Sequence, residues 1–200
     1  MDRKLKKKLS SLGTNPKERI EELFGEVNQH QKKYLSLLYE LAIHDIKTGL
    51  YNNLFFENIL EMEMEKAQRG KQRLSLFIID VDFFKKVNDT HGHIKADEFL
   101  AQLARVLKKQ LRASDIAARF WGEEFFIILP ETNLQKAKKI TSRLRTAIGS
   151  DKLLGKYNIT VSGGLVEYKK GDTKKSIKER ADKALYKAKN TGRDKFVAIE

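Results

Sequence analysis

Apolar residues recur along this chain at two spacings, which predict interleaved helices and strands. Spacings of three and four, as in Leu100, Leu103 and Leu107, indicate amphipathic helices, whereas short β-branched runs indicate buried strands. The predicted helices span residues 53–69, 94–111, 133–148 and 173–190, and the predicted strands fall at 74–80, 116–120, 124–129, within 157–168, and at 196–199. This order, with one hairpin, is typical of an α/β sandwich.

A different period governs residues 17–44. Ile20, Val27, Tyr34 and Leu41 form one seam at heptad spacing; Leu23 and Leu37 occupy d positions, and His30 the remaining one. The pattern is typical of a coiled coil, so we expect a homodimer through residues 20–41; packing of the helix on its own domain is the alternative. The predicted organisation is a basic tail over 1–16, a helical dimerisation stalk over 17–44 and one domain over 45–200.

Acidic residues stand at two predicted strand ends. The strand 74–80 ends in Asp80-Val81-Asp82, and the hairpin turns at Gly122, which Glu123 and Glu124 follow directly. Paired carboxylates at such a turn suit a hard cation such as Mg²⁺ held against a phosphate. The two strand ends therefore predict a metal site.

These motifs occur in a familiar order. Asp80-Val81-Asp82-Phe83-Phe84-Lys85-Lys86-Val87-Asn88-Asp89, then Ala96-Asp97, then Gly122-Glu123-Glu124-Phe125, resemble the GGDEF domain of diguanylate cyclases. The resemblance runs from about Asp45 to Arg193. It implies condensation of two GTP molecules into cyclic di-GMP with release of pyrophosphate. It also implies a ferredoxin-like, nucleotidyl-cyclase-like α/β fold with a central five-stranded sheet.

The resemblance implies roles for single residues. Asp80, the Val81 carbonyl and Glu123 match the ligands of Mg²⁺ (or Mn²⁺), and Glu124 matches the second acid, which tunes the metal or helps deprotonate the attacking hydroxyl. The residues that match substrate contacts are Phe83, Phe84 and Lys85 for the triphosphate, Lys189 and Arg193 for further phosphate contacts, and Asn88 and Asp97 for guanine. A carboxylate accepts from guanine N1–H and N2–H₂, while an amide reaches O6 or N3.

Arg112-Ala113-Ser114-Asp115, just before the hairpin, matches the family's Arg-x-x-Asp inhibitory site for cyclic di-GMP. Arg143 is a candidate secondary contact to the same ligand. The chain departs from the family at Trp121, where the first Gly of the signature stands, and more mildly at Ala96 and Asn53. An active cyclase is the first interpretation. A catalytically degenerate domain that binds cyclic di-GMP or GTP as a receptor is the alternative.

Three glycine-containing segments are open to structural interpretation. Gly122 is expected to take the tight dihedral at the hairpin tip, which would let the Trp121 indole point outward. For Gly163-Gly164 we expect a bulge or a close backbone approach. In the third segment, His91-Gly92-His93, we expect a structural turn because no third metal ligand lies nearby in the sequence.

Composition limits the remaining function classes. The net charge is +13, but the basic residues are spread widely without interleaved aromatics, so we expect no specific nucleic-acid partner. There are no cysteines, no run of 18 apolar residues and no apolar segment near Met1 that is typical of a signal peptide. We therefore expect a cytoplasmic protein without a transmembrane segment.

Overall fold

The structure is a computed structural model that describes residues 28–70 and 72–200. The basic tail and the seam positions Ile20, Leu23 and Val27 lie outside the described residues. The chain divides into two compact units, the first ending at His44 and the second running from Asp45 to Glu200. Over the residues described, no helix is long and apolar enough to cross a membrane.

The described part of the first unit is helix α1, Gln29–Ile43. Asn28 caps its N-terminus through a capping box with Gln31, whose side chain accepts from the Asn28 amide while Asn28 accepts from the Gln31 amide. No residue of α1 is buried, and four large apolar side chains are exposed: Tyr34, Leu37, Leu38 and Leu41. The helix therefore carries an uncovered apolar face that includes three of the predicted seam positions.

The second unit is an α/β sandwich. Its helices are α2 (Asn53–Gly70), α3 (Phe84–Gln110), α4 (Leu134–Gly149), α5 (Lys152–Lys156) and α6 (Lys174–Asn190). Its strands are β1 (Tyr51–Asn52), β2 (Leu74–Val81), β3 (Ile116–Trp121), β4 (Glu124–Pro130), β5 (Val161–Glu167) and β6 (Phe196–Ile199). The α/β fold expected from the sequence is confirmed.

The sheet has six strands in the order β1-β3-β4-β2-β5-β6. The expectation of five strands was wrong. The two-residue strand β1 pairs with β3 in parallel and adds a sixth strand at one edge of the sheet. A strand of two residues is too short to show a period of two in the sequence. Strand β2 lies between β4 and β5, antiparallel to both, and all eight of its residues are buried.

Core side chains alternate between the two faces of the sheet. On β2, Phe77 and Ile79 pack in the cluster formed with α3 and α4, while Leu76 and Ile78 pack in the cluster formed with α2 and α6. The sheet is therefore covered on both faces, which explains the continuous apolar run of this strand.

Gly164 of β5 is a point of close backbone approach. A Cβ built there would lie 2.0 Å from the Ala181 carbonyl oxygen and 2.4 Å from the Leu185 amide nitrogen, both in α6. Only glycine lets α6 lie this close to the sheet, which confirms the close approach expected for this segment. The packing fixes the path of α6 and thereby where its C-terminal lysines emerge.

Helix α3 begins ten residues earlier than the sequence pattern suggested, at Phe84 rather than Ile94. The interruption lies at Gly92, whose φ of 78° bends the helix. His91 packs edge-on against Phe99 and Tyr157, with ring centroids 5.9 and 5.2 Å apart. The segment is thus a bend within a helix, and His91 has the structural role that we expected.

Candidate active site

Two acidic strand ends meet at one edge of the sheet. In the register of β2 and β4, Asp80 lies opposite Glu124, and the Val81 amide donates to the Glu123 carbonyl at 3.4 Å. Directly opposed residues have Cβ atoms about 4.5–5.5 Å apart. The antiparallel pairing therefore brings together residues more than forty positions apart in the sequence, and we call Asp80, Glu123 and Glu124 the acidic edge.

Burial and mutual repulsion act on these carboxyls together. Burial raises the pKa of Asp80, and the neighbouring Glu123 and Asp82 carboxylates raise it further, against the lowering effect of Lys189. The Lys189 ammonium lies 2.9 Å from Asp80 Oδ2. For Glu124, burial is again the largest cause of a raised pKa, followed by the charge of Asp80. Anionic groups that are partly dehydrated and repel one another are stabilised by a cation.

The donor set fits a hard divalent cation. Asp80, Glu123 and the Val81 carbonyl supply oxygens only, as Mg²⁺ prefers. Among residues 28–70 and 72–200 there is no group of three or more His, Cys, Asp or Glu side chains arranged for a metal ion. The predicted set contains two carboxylates and one carbonyl, so further ligands would have to come from phosphate or water, as Mg²⁺ sites on nucleotides commonly have.

Asp82 has a different role from the one its sequence suggested. Although it forms an acidic pair with Asp80 in the sequence, it is only 4 % exposed and accepts three hydrogen bonds. The donors are Ser162 Oγ at 2.7 Å, Thr160 Oγ1 at 2.8 Å and the Asp194 amide at 3.1 Å. Because these donors fill its carboxylate, Asp82 anchors the loop after α6 instead of facing the acidic edge.

That loop places a guanidinium beside the N-terminus of α3. Arg193 and Asp194 have φ values of 58° and 43°, and the Arg193 guanidinium lies 4.3 Å from the centroid of the Phe83 ring. Phe83 itself has a φ of 54° and provides no side-chain cap for α3. Uncapped amides and positive charge at a helix N-terminus suit an anion, and Phe84 and the exposed Lys85 begin this same turn.

The predicted guanine readers both lie on α3, on either side of its bend. Asn88 Oδ1 is 3.1 Å from His93 Nδ1. The Asp97 carboxylate accepts from Lys47 Nζ at 2.6 Å. Lys47 was missed from the sequence, because it lies fifty positions upstream and no periodic pattern links it to Asp97.

Arg112 and Asp115 form a closed turn at the base of the hairpin. The Arg112 amide donates to Asp115 Oδ2 at 2.9 Å, and the Asp115 amide donates to the Arg112 carbonyl at 3.0 Å. Asp115 is 8 % exposed, and its buried Oδ1 has no hydrogen-bond partner among the described residues. Burial raises the pKa of Asp115, while the Arg112 amide and the charges of Arg112 and Arg143 oppose the rise.

Arg143, the predicted secondary contact, lies near this turn. Its guanidinium donates to the Gln110 carbonyl at the end of α3. The structure therefore brings together three residues expected to share a ligand. It leaves one buried carboxylate oxygen available to accept a hydrogen bond.

The hairpin tip accommodates Trp121 without backbone strain. Gly122 takes the positive dihedral, with φ of 36°, and Trp121 is 65 % exposed with its ring edge-on to Phe120 at 6.0 Å. The register shifts between Arg119 and Trp121, which puts Trp121 opposite Glu124. The expected outward indole is confirmed, and it lies next to an acid of the acidic edge.

Arg119 holds this tip and was also missed from the sequence. Its Nε donates to the Gly122 carbonyl at 2.7 Å, and its Nη1 lies 3.4 Å from Asp45 Oδ1. The side chain is largely buried. It therefore connects the hairpin tip to the segment that precedes β1.

Residues 42–195 match the family model described as diguanylate cyclase, GGDEF domain. The chain is 37% identical over 187 residues to the diguanylate cyclase DgcP of Pseudomonas aeruginosa, covering 89% of this chain and 28% of that protein. It is also 37% identical over 164 residues to the response regulator PleD of Caulobacter vibrioides, covering 79% and 36%. The chain thus spans about a third of the length of these curated relatives.

Solved structures give the same result. The coiled coil and GGDEF domain of DgcB from Caulobacter crescentus, in complex with c-di-GMP, has a TM-score of 0.80 and 31% identity, covering 86% of this chain and 93% of that one. The diguanylate cyclase SiaD from Pseudomonas aeruginosa, in complex with its activator SiaC, has a TM-score of 0.75 and 37% identity, covering 86% and 67%. On sequence and fold together, this chain belongs to the family of diguanylate cyclase GGDEF domains.

Proposed function

We propose that this chain is a diguanylate cyclase that condenses two GTP molecules into cyclic di-GMP, using Mg²⁺ or Mn²⁺. The observation that carries the proposal is the acidic edge. The buried Asp80 and the half-buried Glu123 and Glu124 repel one another there, beside Lys189 and near the uncapped N-terminus of α3. The relatives named as diguanylate cyclases support the same chemistry.

Each group has a distinct task in this proposal. Asp80, Glu123 and the Val81 carbonyl hold the cation, which when bound neutralises charge on the triphosphate. The amides that open α3, together with Lys85, Lys189 and Arg193, bind phosphate oxygens. Lys189 is placed for this because Gly164 brings α6 close to the sheet. Asn88 and Asp97 read the guanine.

Two domains are required, because each one binds one GTP and the 3′-hydroxyl of one nucleotide attacks the α-phosphorus of the other. Holding both nucleotides in line supplies much of the rate enhancement. The exposed apolar face of α1 supports a homodimer through residues 20–41. DgcB, whose structure includes a coiled coil, supports the same arrangement.

The stalk can be tested within α1. Replacing the seam residue Leu41 by Glu should lower the dimer fraction and reduce product formation most strongly at low protein concentration. Leu38→Glu is the matched control because Leu38, 61% exposed against 51% for Leu41, lies outside the seam. Analytical ultracentrifugation and product assays over a dilution series measure both effects; equal behaviour of the two variants would contradict the stalk.

A second candidate function rests on the Arg112–Asp115 turn. A receptor without turnover would bind cyclic di-GMP there, and the unpartnered Asp115 Oδ1 supports a ligand at this turn. In an active cyclase the same turn would give product inhibition. The c-di-GMP complex of DgcB supports binding of this ligand by the family.

Incubation with GTP and Mg²⁺, followed by chromatography of the products, separates the two functions. A cyclase gives cyclic di-GMP and pyrophosphate, and a chelator stops the reaction. If no cyclic di-GMP forms but calorimetry detects its binding, the chain is a receptor. If the protein neither forms nor binds it, both candidate functions are wrong.

A further inference from the structure

Asp97 is held by a lysine that comes from outside its helix. Lys47 Nζ lies 2.6 Å from Asp97 Oδ2, across fifty positions of sequence. The pair of Lys66 with Glu63, by contrast, joins neighbours three positions apart on one helix. The Lys47 pair therefore depends on tertiary structure.

Hydrogen bonds hold the turn that carries Lys47. Asp45 Oδ1 accepts from the Thr48 amide at 2.9 Å and from Thr48 Oγ1 at 2.6 Å, and the Gly49 amide donates to the Asp45 carbonyl at 2.7 Å. Gly49 has a φ of 64°, and Lys108 of α3 donates to its carbonyl. These contacts fix the backbone of the turn against α3, which keeps Lys47 beside Asp97.

The chemistry of the pair matches the Watson–Crick edge of guanine. That edge presents O6, N1–H and N2–H₂ in sequence, an acceptor followed by donors. A carboxylate that accepts from N1–H and N2–H₂ has O6 next to the oxygen that takes N1–H. The Lys47 ammonium has three N–H donors. If it donates to the carboxylate oxygen that takes N1–H, it can donate to guanine O6 as well.

We propose that Lys47 determines base specificity by donating to guanine O6 while Asp97 accepts from N1–H and N2–H₂. The inference rests on the proposed function, in which Asp97 reads guanine. It assigns O6 to Lys47 and leaves N3 to Asn88. Adenine has a donor amine in place of O6. The Lys47 ammonium would then face another donor, which lowers the affinity for adenine nucleotides.

An ordinary surface ion pair is the competing explanation. Lys47 and Asp97 side chains are 58% and 35% exposed, and exposed pairs contribute little to stability. The competing explanation predicts that Lys47 affects every purine nucleotide alike, through Asp97. A direct contact to O6 instead predicts an effect that depends on O6.

The test removes the ammonium from the protein and replaces O6 in the ligand. Calorimetry on the full chain would compare the α,β-methylene analogues of GTP, of 6-thioguanosine triphosphate and of ATP. 6-Thioguanine keeps N1–H and N2–H₂ for Asp97 but has sulfur, a weak acceptor, in place of O6. Lys47→Met keeps the length of the stem, and Lys66→Met is the control because Lys66 has a similar exposure and an equally short pair.

We expect Lys47→Met to weaken binding of the GTP analogue roughly tenfold, which is about 1.4 kcal/mol, and to change binding of the 6-thioguanosine analogue much less. Lys66→Met should change neither. Equal losses for both analogues would overturn this inference and leave the proposed function standing. A parent that binds the GTP and ATP analogues equally would overturn the assignment of Asp97 to guanine and this inference with it.

Discussion

The β3–β4 hairpin has a candidate site at each end, and the two sites use a buried carboxylate in opposite ways. The acidic edge lies at its tip, and the Arg112–Asp115 turn lies at its base, directly before β3. Six residues of strand separate them by about 20 Å. At both ends, burial raises the pKa of an Asp, Asp80 at the tip and Asp115 at the base.

The neighbouring charges differ in sign. At the tip, Glu123 and Asp82 raise the pKa of Asp80 further, and Lys189 alone opposes them. At the base, the charges near Asp115 are those of Arg112 and Arg143, and both oppose the rise. With similar burial, the different charges support the proposed cation site at the tip and the proposed site for an anionic, guanine-bearing ligand at the base.

The two sites also differ in how they are assembled. The acidic edge needs β2, β4 and α6, whereas Arg112 and Asp115 close a single turn through their own backbone. Substitutions at one site should therefore leave the other intact. Substitution at each site in turn tests this separation.

The largest effect is expected at the tip. Asp80→Asn removes a cation ligand and should lower turnover about a thousandfold, since metal stabilisation of phosphate charge contributes several kcal/mol. Product chromatography with GTP and Mg²⁺ measures the rate. Binding of cyclic di-GMP at the base should be retained in calorimetry. Turnover at the parent rate would remove Asp80 from the proposed site.

The converse change is at the base. Arg112→Ala should weaken cyclic di-GMP binding by about 2–4 kcal/mol, because it removes a charged donor and leaves Asp115 without its nearest positive side chain. Initial rates at low product concentration should match those of the parent. The control is Arg105→Ala, an exposed arginine of α3 that pairs with Gln102. Undiminished binding by Arg112→Ala would place the ligand elsewhere.

A smaller effect is expected in the pH dependence of stability. Because the pKa of Glu124 is raised in the folded state, its stabilising contribution is complete below its ordinary value of 4.5 and is lost as pH rises through the raised pKa. The pKa of Asp115 is also raised, so its stabilising contribution is complete below its ordinary value of 3.8 and is likewise lost as pH rises through the raised pKa. Glu124→Gln and Asp115→Asn should therefore each show a smaller fall in Tm than the parent between about pH 4 and pH 7.

Mg²⁺ distinguishes the two carboxyls in the same melting experiment. Added at pH 7, it should raise the Tm of the parent and of Asp115→Asn, and raise that of Glu124→Gln by less. The reason is that, of these two sites, the acidic edge is the one with clustered carboxylates. An equal Mg²⁺ shift in all three proteins would contradict the separation of the two sites.

The smallest effect is expected from Trp121→Gly. The indole lies exposed beside Glu124 without strain, so we expect the parent to be an active but slower cyclase and the glycine variant to have a kcat a few-fold higher or a lower KM. Steady-state kinetics measure both. Product from Trp121→Gly alone would instead identify the parent as a degenerate receptor.

Trp121 also offers a direct observation, because it is the one tryptophan of the chain. Its fluorescence should change when a GTP analogue and Mg²⁺ bind at the tip. Cyclic di-GMP bound at the base, about 20 Å away, should change it less. Equal responses to both ligands would contradict the distance between the sites.

Much of this molecule was predictable from local patterns. The apolar run of β2, the hairpin and the acids at both strand ends follow from spacing and turn chemistry, and so does glycine at the close approach of α6. Sequence order also gave the motifs of the family. These features are encoded within a few neighbouring residues, so no tertiary contact was needed to find them.

Other features follow only from the folded chain. Asp80 and Asp82 are two positions apart, but β2 ends at Val81, so Asp82 leaves the pleat and is enclosed by Ser162, Thr160 and the Asp194 amide. The sixth strand and the early start of α3 have no periodic signal. For Asp82 and for the sixth strand the outcome depends on a partner that is remote in sequence.

The sequence by itself determined which groups this protein carries: paired carboxylates, lysines and an Arg-x-x-Asp turn, which we propose serve a cation, phosphate and cyclic di-GMP. Tertiary structure decided which of these groups meet. It pairs Asp80 with Lys189 and Asp97 with Lys47, and it brings the Arg119 side chain to the hairpin tip. The physical reason is that periodicity fixes the face on which a side chain lies, whereas packing between distant segments decides what that face meets.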